Sequence, residues 1–135
     1  MIQRLGIASV YVLDQERAKR FYTEILGFEV RTDAHVGSFR WITVVPKGQP
    51  DLQIALMAIK PGTHWEPETA ETVRALVEKG TFGFGAFHTA DCRKTYEELK
   101  ARGVEFMGEP EERPYGVETV FKDDSGNWFA LVQPR

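Results

Sequence analysis

The chain has 135 residues, of which 42% are apolar and 27% are charged, and its formal net charge is -3. This length and composition are typical of one folded domain, and they argue against intrinsic disorder and against a membrane-spanning segment. A nucleic-acid partner is not expected either, because nucleic-acid-binding domains carry a basic excess and no run of Lys and Arg occurs here.

Cysteine usage and the N-terminal residues predict a cytoplasmic protein. Cys92 is the single cysteine, so no intrachain disulfide can form, as is typical of a reducing compartment. The first residues reach an acidic side chain at Asp14 without the long apolar run and small-residue cleavage site of a signal peptide.

The first part of the chain has the pattern of a βαβββ unit. Residues 5–12 alternate as a strand does, Asp14 is a good helix N-cap, and residues 14–26 have helical spacing that ends at Gly27. Three β-rich segments follow at 28–32, 39–45 and 52–57, separated by the turn-prone stretches DAHVGS and PKGQPD. Residues 1–59 therefore form the predicted first unit.

The same pattern returns after a break. Residues 60–80 are predicted as a linker with a helix at 69–79, and residues 81–135 as a second unit. This second unit repeats the N-cap as Asp91 and the helix stop as Gly103, and its predicted strands are 82–89, 104–107, 116–122 and 128–133. The predicted fold is α+β, with two βαβββ repeats forming a curved mixed sheet around a cavity.

Two phrases carry a family resemblance: VYVLDQERAKRFYTEILGFEV in the first unit and FKDDSGNWFALVQ in the second. They resemble the vicinal oxygen chelate superfamily, the group of glyoxalases, bleomycin resistance proteins and extradiol dioxygenases. The resemblance implies this fold and a homodimer. It does not imply one activity, because the group includes lyases, epimerases, dioxygenases, metal-transferases and metal-free drug-sequestering proteins.

Metal-dependent members of that group hold their ion with four side chains from the first and last strands of each unit. The resemblance assigns these positions to Ile7, Gln53, Phe84 and Ala130. A metal site needs converging lone-pair donors, and only Gln53 has one. We therefore expect no metal and no other cofactor.

Residues in step with these positions along each strand are expected to face the cavity. Phe84, Trp128, Tyr11 and Trp41 are predicted to form an aromatic lining, which suits a flat organic ligand. The other predicted ligand-binding residues are Ser9, Gln53, Met57 and His88, with Arg40 as a partner for an anion and Tyr115 as part of a closing loop.

The sequence thus predicts a protein that binds a small organic molecule without a metal, in a cavity within one chain or shared across a homodimer. The alternative is a metal-dependent or His-based lyase, isomerase or dioxygenase of the same superfamily. His88 is then the candidate acid or base, because an imidazole titrates near neutral pH.

Overall fold

A computed structural model describes residues 1–62 and 65–135; Thr63 and His64, inside the predicted linker, lie outside the described residues. The strands are β1 (Ile7–Val12), β2 (Glu29–Val36), β3 (Phe39–Val45), β4 (Gln53–Ala58), β5 (Gly83–His88), β6 (Glu111–Arg113), β7 (Gly116–Lys122) and β8 (Trp128–Pro134). The α-helices are α1 (Gln15–Arg20), α2 (Pro67–Lys79) and α3 (Cys92–Ala101), and a π-helical turn over Phe21–Ile25 directly continues α1.

The strands form two four-stranded sheets. Sheet A has the order β1-β4-β3-β2 and sheet B the order β5-β8-β7-β6. In both sheets the first pair is parallel and the other pairs are antiparallel. The predicted α+β fold of two βαβββ repeats is confirmed, with one separate mixed sheet for each repeat.

The helix ends follow the predicted capping residues. Asp14 accepts a hydrogen bond from the backbone N–H of Arg17 (2.9 Å), and Asp91 accepts one from Lys94 (3.1 Å), so both aspartates are N-caps. The second helix is longer than predicted, because Pro67 occupies its first turn, where the missing N–H costs no hydrogen bond. None of the helices in the described part of the chain is long and apolar enough to cross a membrane.

Two predicted boundaries are wrong. The DAHVGS stretch is mostly strand, because β2 and β3 pair up to Val36 and Phe39 and only Gly37 and Ser38 make the turn. Gly37 has a φ of 62°, which a tight hairpin turn requires and which glycine adopts without strain.

In the second unit, the sequence predicts a strand at 104–107 and a loop over the acidic stretch 109–112 that leads to Tyr115. Only Phe106 forms a bridge in the first of these segments, to Phe121, whereas β6 begins inside the acidic stretch and ends at Arg113. The Met107 N–H still donates to the carbonyl of Val120 at 2.8 Å. The chain therefore contacts β7 at two places, first through Met107 and then through β6, and Gly108 and Pro110 lie between them.

The larger of two hydrophobic clusters in the described ranges joins the two units, and the smaller one lies beside α2. The larger cluster contains Val12 and Tyr22 from the first unit and Leu99 and Phe129 from the second, all at most 8% exposed. Residues of α1 and α3 belong to the same cluster. The helix-bearing sides of the two units therefore pack against each other, and the opposite faces of both sheets point away from this core.

Hydrogen bonds connect the turn before β8, residues 123–127, to the first unit. Asp123 accepts three backbone N–H groups of its own turn through Oδ1, from Ser125, Gly126 and Asn127 at 2.9 to 3.0 Å. Its Oδ2 accepts the buried hydroxyl of Tyr22 (2.7 Å). Asn127 also donates through Nδ2 to the backbone carbonyl of Tyr11 (2.8 Å), so the DDSGN segment fixes the position of β1.

Candidate functional site

The face of sheet A opposite the core presents the candidate site. Along β1, Val10 and Val12 are buried in the core, so their neighbours Ser9 and Tyr11 point to the other face. On β4, Met57 lies directly beside Tyr11 in the parallel register. The side-chain alternation predicted from the sequence therefore agrees with the structure for Ser9, Tyr11 and Met57, which share one face of sheet A.

A cavity of about 630 Å³ opens on this face. Four of the predicted ligand-binding residues line it together: Tyr11, Arg40, Trp41 and Met57. The other described lining residues come from the β2–β3 turn with the start of β3, and from the end of β4 with the residues that follow it: Ser38, Phe39, Ala58, Lys60, Pro61, Gly62 and Trp65. The volume is in the range of ordinary small-molecule sites.

Aromatic rings dominate the wall of this cavity. The rings of Tyr11 and Trp65 have centroids 4.7 Å apart and are tilted by 49°. Trp41 and Phe39 line the same cavity from β3, on which they are two residues apart and so share a face. Trp65 was missed by the sequence reasoning, because nothing local indicates that the segment before α2 returns to β1.

Arg40 borders the cavity as part of β3, but its side chain points to the opposite face from Trp41, toward α1, and its charge is paired there. Its guanidinium donates to both carboxylate oxygens of Asp33, at 2.9 and 2.7 Å, and to Glu16 at 3.0 Å. The bonds from Arg40 and Lys19 hold the pKa of Asp33 well below its usual range, and those to Asp33 and Glu16 raise the pKa of Arg40. An anionic ligand would have to compete with Asp33 and Glu16 for the Arg40 guanidinium, and the role of Arg40 as an anion partner stays a prediction.

Lys60 provides the second positive charge at the cavity. Its side chain is exposed, and its Nζ donates to the backbone carbonyl of Ser38 at 3.2 Å. This hydrogen bond joins the segment after β4 to the β2–β3 turn. Lys60 was also missed from the sequence, where it was assigned to the linker.

Gln53 and Ser9 share the open face of sheet A but do not line the cavity. The Gln53 amide oxygen accepts the hydroxyl of Thr43 at 2.8 Å. Its neighbour in the parallel register is Ile7, which offers no lone pair. Because Phe84 and Ala130 offer none either, the side chains at the four positions assigned by the resemblance do not fit a metal ion. Among the described residues, no group of three His, Cys, Asp or Glu side chains could hold one.

The other predicted ligand-binding residues belong to the second unit. A register shift in β5 separates Phe84 from the rest of its strand. The pairing of β5 with β8 shifts between Gly83 and Gly85, so Phe84 falls out of step with Ala86 and His88. The Phe84 ring lies 6.4 Å from that of Phe129, a core residue.

In the pairing of β5 with β8, His88 lies beside Val132 and Trp128 lies beside Gly83. This register assigns both His88 and Trp128 to the open face of sheet B. His88 also borders a smaller groove of about 260 Å³ between the two units. Neither residue lines the aromatic cavity of sheet A.

Tyr115 lies in the turn between β6 and β7 and is 54% exposed. Its hydroxyl donates to the carboxylate of Glu118. This contact raises the pKa of the Tyr115 hydroxyl, because the nearby carboxylate disfavours a second negative charge. Tyr115 does not line the cavity of sheet A.

Paired βαβββ units, each with one open sheet face, define an α+β protein with the glyoxalase fold. Residues 4–131 match the family model described as the Glyoxalase/Bleomycin resistance protein/Dioxygenase superfamily. The chain belongs to this superfamily.

Several relatives match along the whole chain. YetH, an uncharacterized protein of Bacillus subtilis strain 168, is 37% identical over 98% of this chain and 100% of its own. The crystal structure of UcmS2 has a TM-score of 0.92 and 48% identity, covering 98% of each chain. TnmS3, an antibiotic binding protein from Streptomyces sp. CB03234, has a TM-score of 0.78 and 32% identity, covering 99% of this chain and 98% of its own.

Proposed function

We propose that this protein binds a small, planar organic molecule in the aromatic cavity of sheet A and does so without a metal ion. The supporting observation is the lining itself: Tyr11, Trp41, Trp65 and Phe39 surround a cavity of about 630 Å³. Aromatic side chains give a flat ligand both apolar contact and offset stacking. The similarity to TnmS3, an antibiotic binding protein, adds support for a small-molecule ligand of this kind.

Titration calorimetry with a neutral planar probe, 2-naphthamide, tests the location of the site. We expect Trp41→Ala and Trp65→Ala each to weaken binding about tenfold, since an aromatic pair contributes about 0.5 to 1.5 kcal/mol beyond its buried area. Glu97→Ala, on the exposed side of α3, is the control and leaves the affinity unchanged. Wild-type protein that does not bind the probe, or tryptophan variants that bind it as well as wild type, would refute the proposal.

The metal-free part of the proposal has its own experiment. Zinc, nickel, manganese and iron(II) are titrated into metal-free protein by calorimetry, and the metal content of freshly purified protein is measured. We expect no stoichiometric binding, because three of the four positions carry the side chains of Ile7, Phe84 and Ala130. One ion bound per chain at micromolar strength or tighter would overturn this part.

We further propose that the protein acts as a cytoplasmic homodimer in which a second copy covers the open sheet faces. These faces leave large apolar side chains exposed, among them Ile7 (42%) and Phe39 (49%), and such surface favours burial in an interface. Ala86 is exposed on the open face of sheet B, so Ala86→Glu is tolerated in one chain but places a charge in such an interface.

Sedimentation equilibrium at micromolar concentration tests this assembly. We expect a dimer for the wild-type protein and for Lys94→Glu, a control on α3, and a monomer for Ala86→Glu. A monomeric wild-type protein would refute the homodimer. The cytoplasmic location is consistent with the buried, unpaired Cys92 and is tested by cell fractionation.

A further inference from the structure

The charges at the aromatic cavity are unbalanced. The described lining residues include two basic residues, Arg40 and Lys60, and no acidic residue. The carboxylates of Asp33 and Glu16 neutralise Arg40 without lining the cavity. Lys60 forms no ion pair with any residue in the described ranges 1–62 and 65–135. The cavity therefore carries one positive charge that the described residues leave uncompensated.

Lys60 is in a position to exchange its present partner for a ligand. Its Nζ donates to the Ser38 carbonyl over 3.2 Å, and Ser38 itself lines the cavity. A backbone carbonyl is a neutral acceptor, whereas a carboxylate forms a shorter and stronger charge-assisted hydrogen bond with an ammonium group. An anionic group beside Ser38 would therefore replace the carbonyl at little structural cost.

The sign of this charge decides between two kinds of aromatic-pocket ligand. Rings such as those of Tyr11, Trp41 and Trp65 also attract organic cations, as in aromatic cages for quaternary ammonium groups. Here the ammonium of Lys60 borders the same space and repels a second cation. The arrangement favours an anion over a cation on an otherwise similar ring system.

We propose that the cavity selects planar aromatic ligands that carry one anionic group, a carboxylate in the simplest case, and that Lys60 is the residue that determines this preference. This inference rests on the proposed function, because it assigns the ligand class of the same site. The stacked ring would lie among the aromatic side chains, and the anionic group would point toward Lys60 and the β2–β3 turn.

Three probes with one ring system test the preference by calorimetry at low ionic strength. They are 2-naphthoate, the neutral 2-naphthamide, and a (2-naphthyl)methyl-trimethylammonium salt. We expect wild-type protein to bind the naphthoate about tenfold more tightly than the amide and the ammonium salt most weakly. The preference is expected to shrink at high salt, because Lys60 is exposed and its charge is screened.

Matched variants assign the preference to one side chain. Lys60→Gln is expected to lower the naphthoate affinity to that of the amide. Lys47→Gln, which removes an exposed lysine that does not line the cavity, is the control and keeps the preference.

The outcomes separate the two proposals. Amide binding with no naphthoate preference overturns the charge selection and leaves the aromatic site standing, as does a preference that survives in Lys60→Gln. Tighter binding of the ammonium salt than of the naphthoate also overturns the charge selection. Wild-type protein that binds none of the three probes refutes the aromatic site and the inference together.

Discussion

Removal of the Tyr22 hydroxyl tests how the two units are held together. Tyr22 is fully buried in the first unit, and its hydroxyl donates to Asp123 of the second at 2.7 Å. A hydrogen bond to a charged group contributes about 1.5 to 3 kcal/mol. Asp123 keeps four other donors from its own turn in Tyr22→Phe. We therefore expect Tyr22→Phe to lower the free energy of unfolding by an amount near the lower limit of this range, about 1.5 to 2 kcal/mol.

Urea unfolding followed by circular dichroism measures this loss. With a slope of about 2 kcal/mol per molar urea, the midpoint should fall by about 0.75 to 1 M without a change in slope. Tyr96→Phe is the matched control, because Tyr96 is also buried, at 6% exposure, but its hydroxyl accepts a hydrogen bond from the exposed Lys100 instead of donating to a carboxylate. We expect its cost to stay below about 0.5 kcal/mol.

The pH dependence gives a second measurement on the same pair. Burial, together with the charge of Asp123, raises the pKa of Tyr22 well above its usual value. The unfolded chain therefore loses this proton first, so the stabilisation is complete below about pH 10 and is lost as the pH rises further. Wild type should lose stability in this range more steeply than Tyr22→Phe. The reasoning would be refuted if the free energy of unfolding of Tyr22→Phe lay within about 0.5 kcal/mol of wild type, or if Tyr96→Phe lost as much stability as Tyr22→Phe.

Two further perturbations test the scaffold around the site. Asp33→Asn should cost about 1 kcal/mol at pH 7 by urea unfolding, since it weakens the contacts to Arg40 and Lys19. Because folding lowers the pKa of Asp33, this difference should begin to shrink as the pH falls below about 4, the usual value in the unfolded chain, and should vanish only below the folded-state pKa. A difference that is as large at about pH 2 as at pH 7 contradicts the assignment. Gly126→Ala should cost about 1 to 3 kcal/mol, because Gly126 has a φ of 112° and a Cβ there would meet the carbonyl of Val77. Gly108→Ala, with open space around it, is its control, and equal midpoints for the two variants would contradict this explanation.

The sequence predicts those features that depend on local chemistry. Asp14 and Asp91 cap helices because a short carboxylate before a helical stretch satisfies free N–H groups whatever surrounds it. Side-chain alternation likewise places Tyr11 and Met57 side by side on an open face. Both predictions use only neighbours along the chain and the geometry of a strand.

The features that the sequence does not predict depend on contacts between distant segments. Phe84 falls out of step with Ala86 and His88 because a register shift interrupts β5, and the local sign of such a bulge is the pair of glycines at 83 and 85. Trp65 joins the cavity because the segment before α2 folds back over β1. Arg40 is neutralised by Asp33 only because β2 extends past its predicted end and brings the two side chains together.

The two open faces differ in a way that links the proposed ligand to the proposed dimer. Sheet A carries the bulky rings of Tyr11 and Trp41, whereas the middle of sheet B carries Ala86 beside Ala130. If sheet B of a second copy covers sheet A in the proposed dimer, its small side chains would lie over the aromatic cavity and leave space for a flat ligand between the sheets. The side chains of Ile7, Phe84 and Ala130 would serve the same end, because an apolar wall suits a stacked ring better than a coordinated ion.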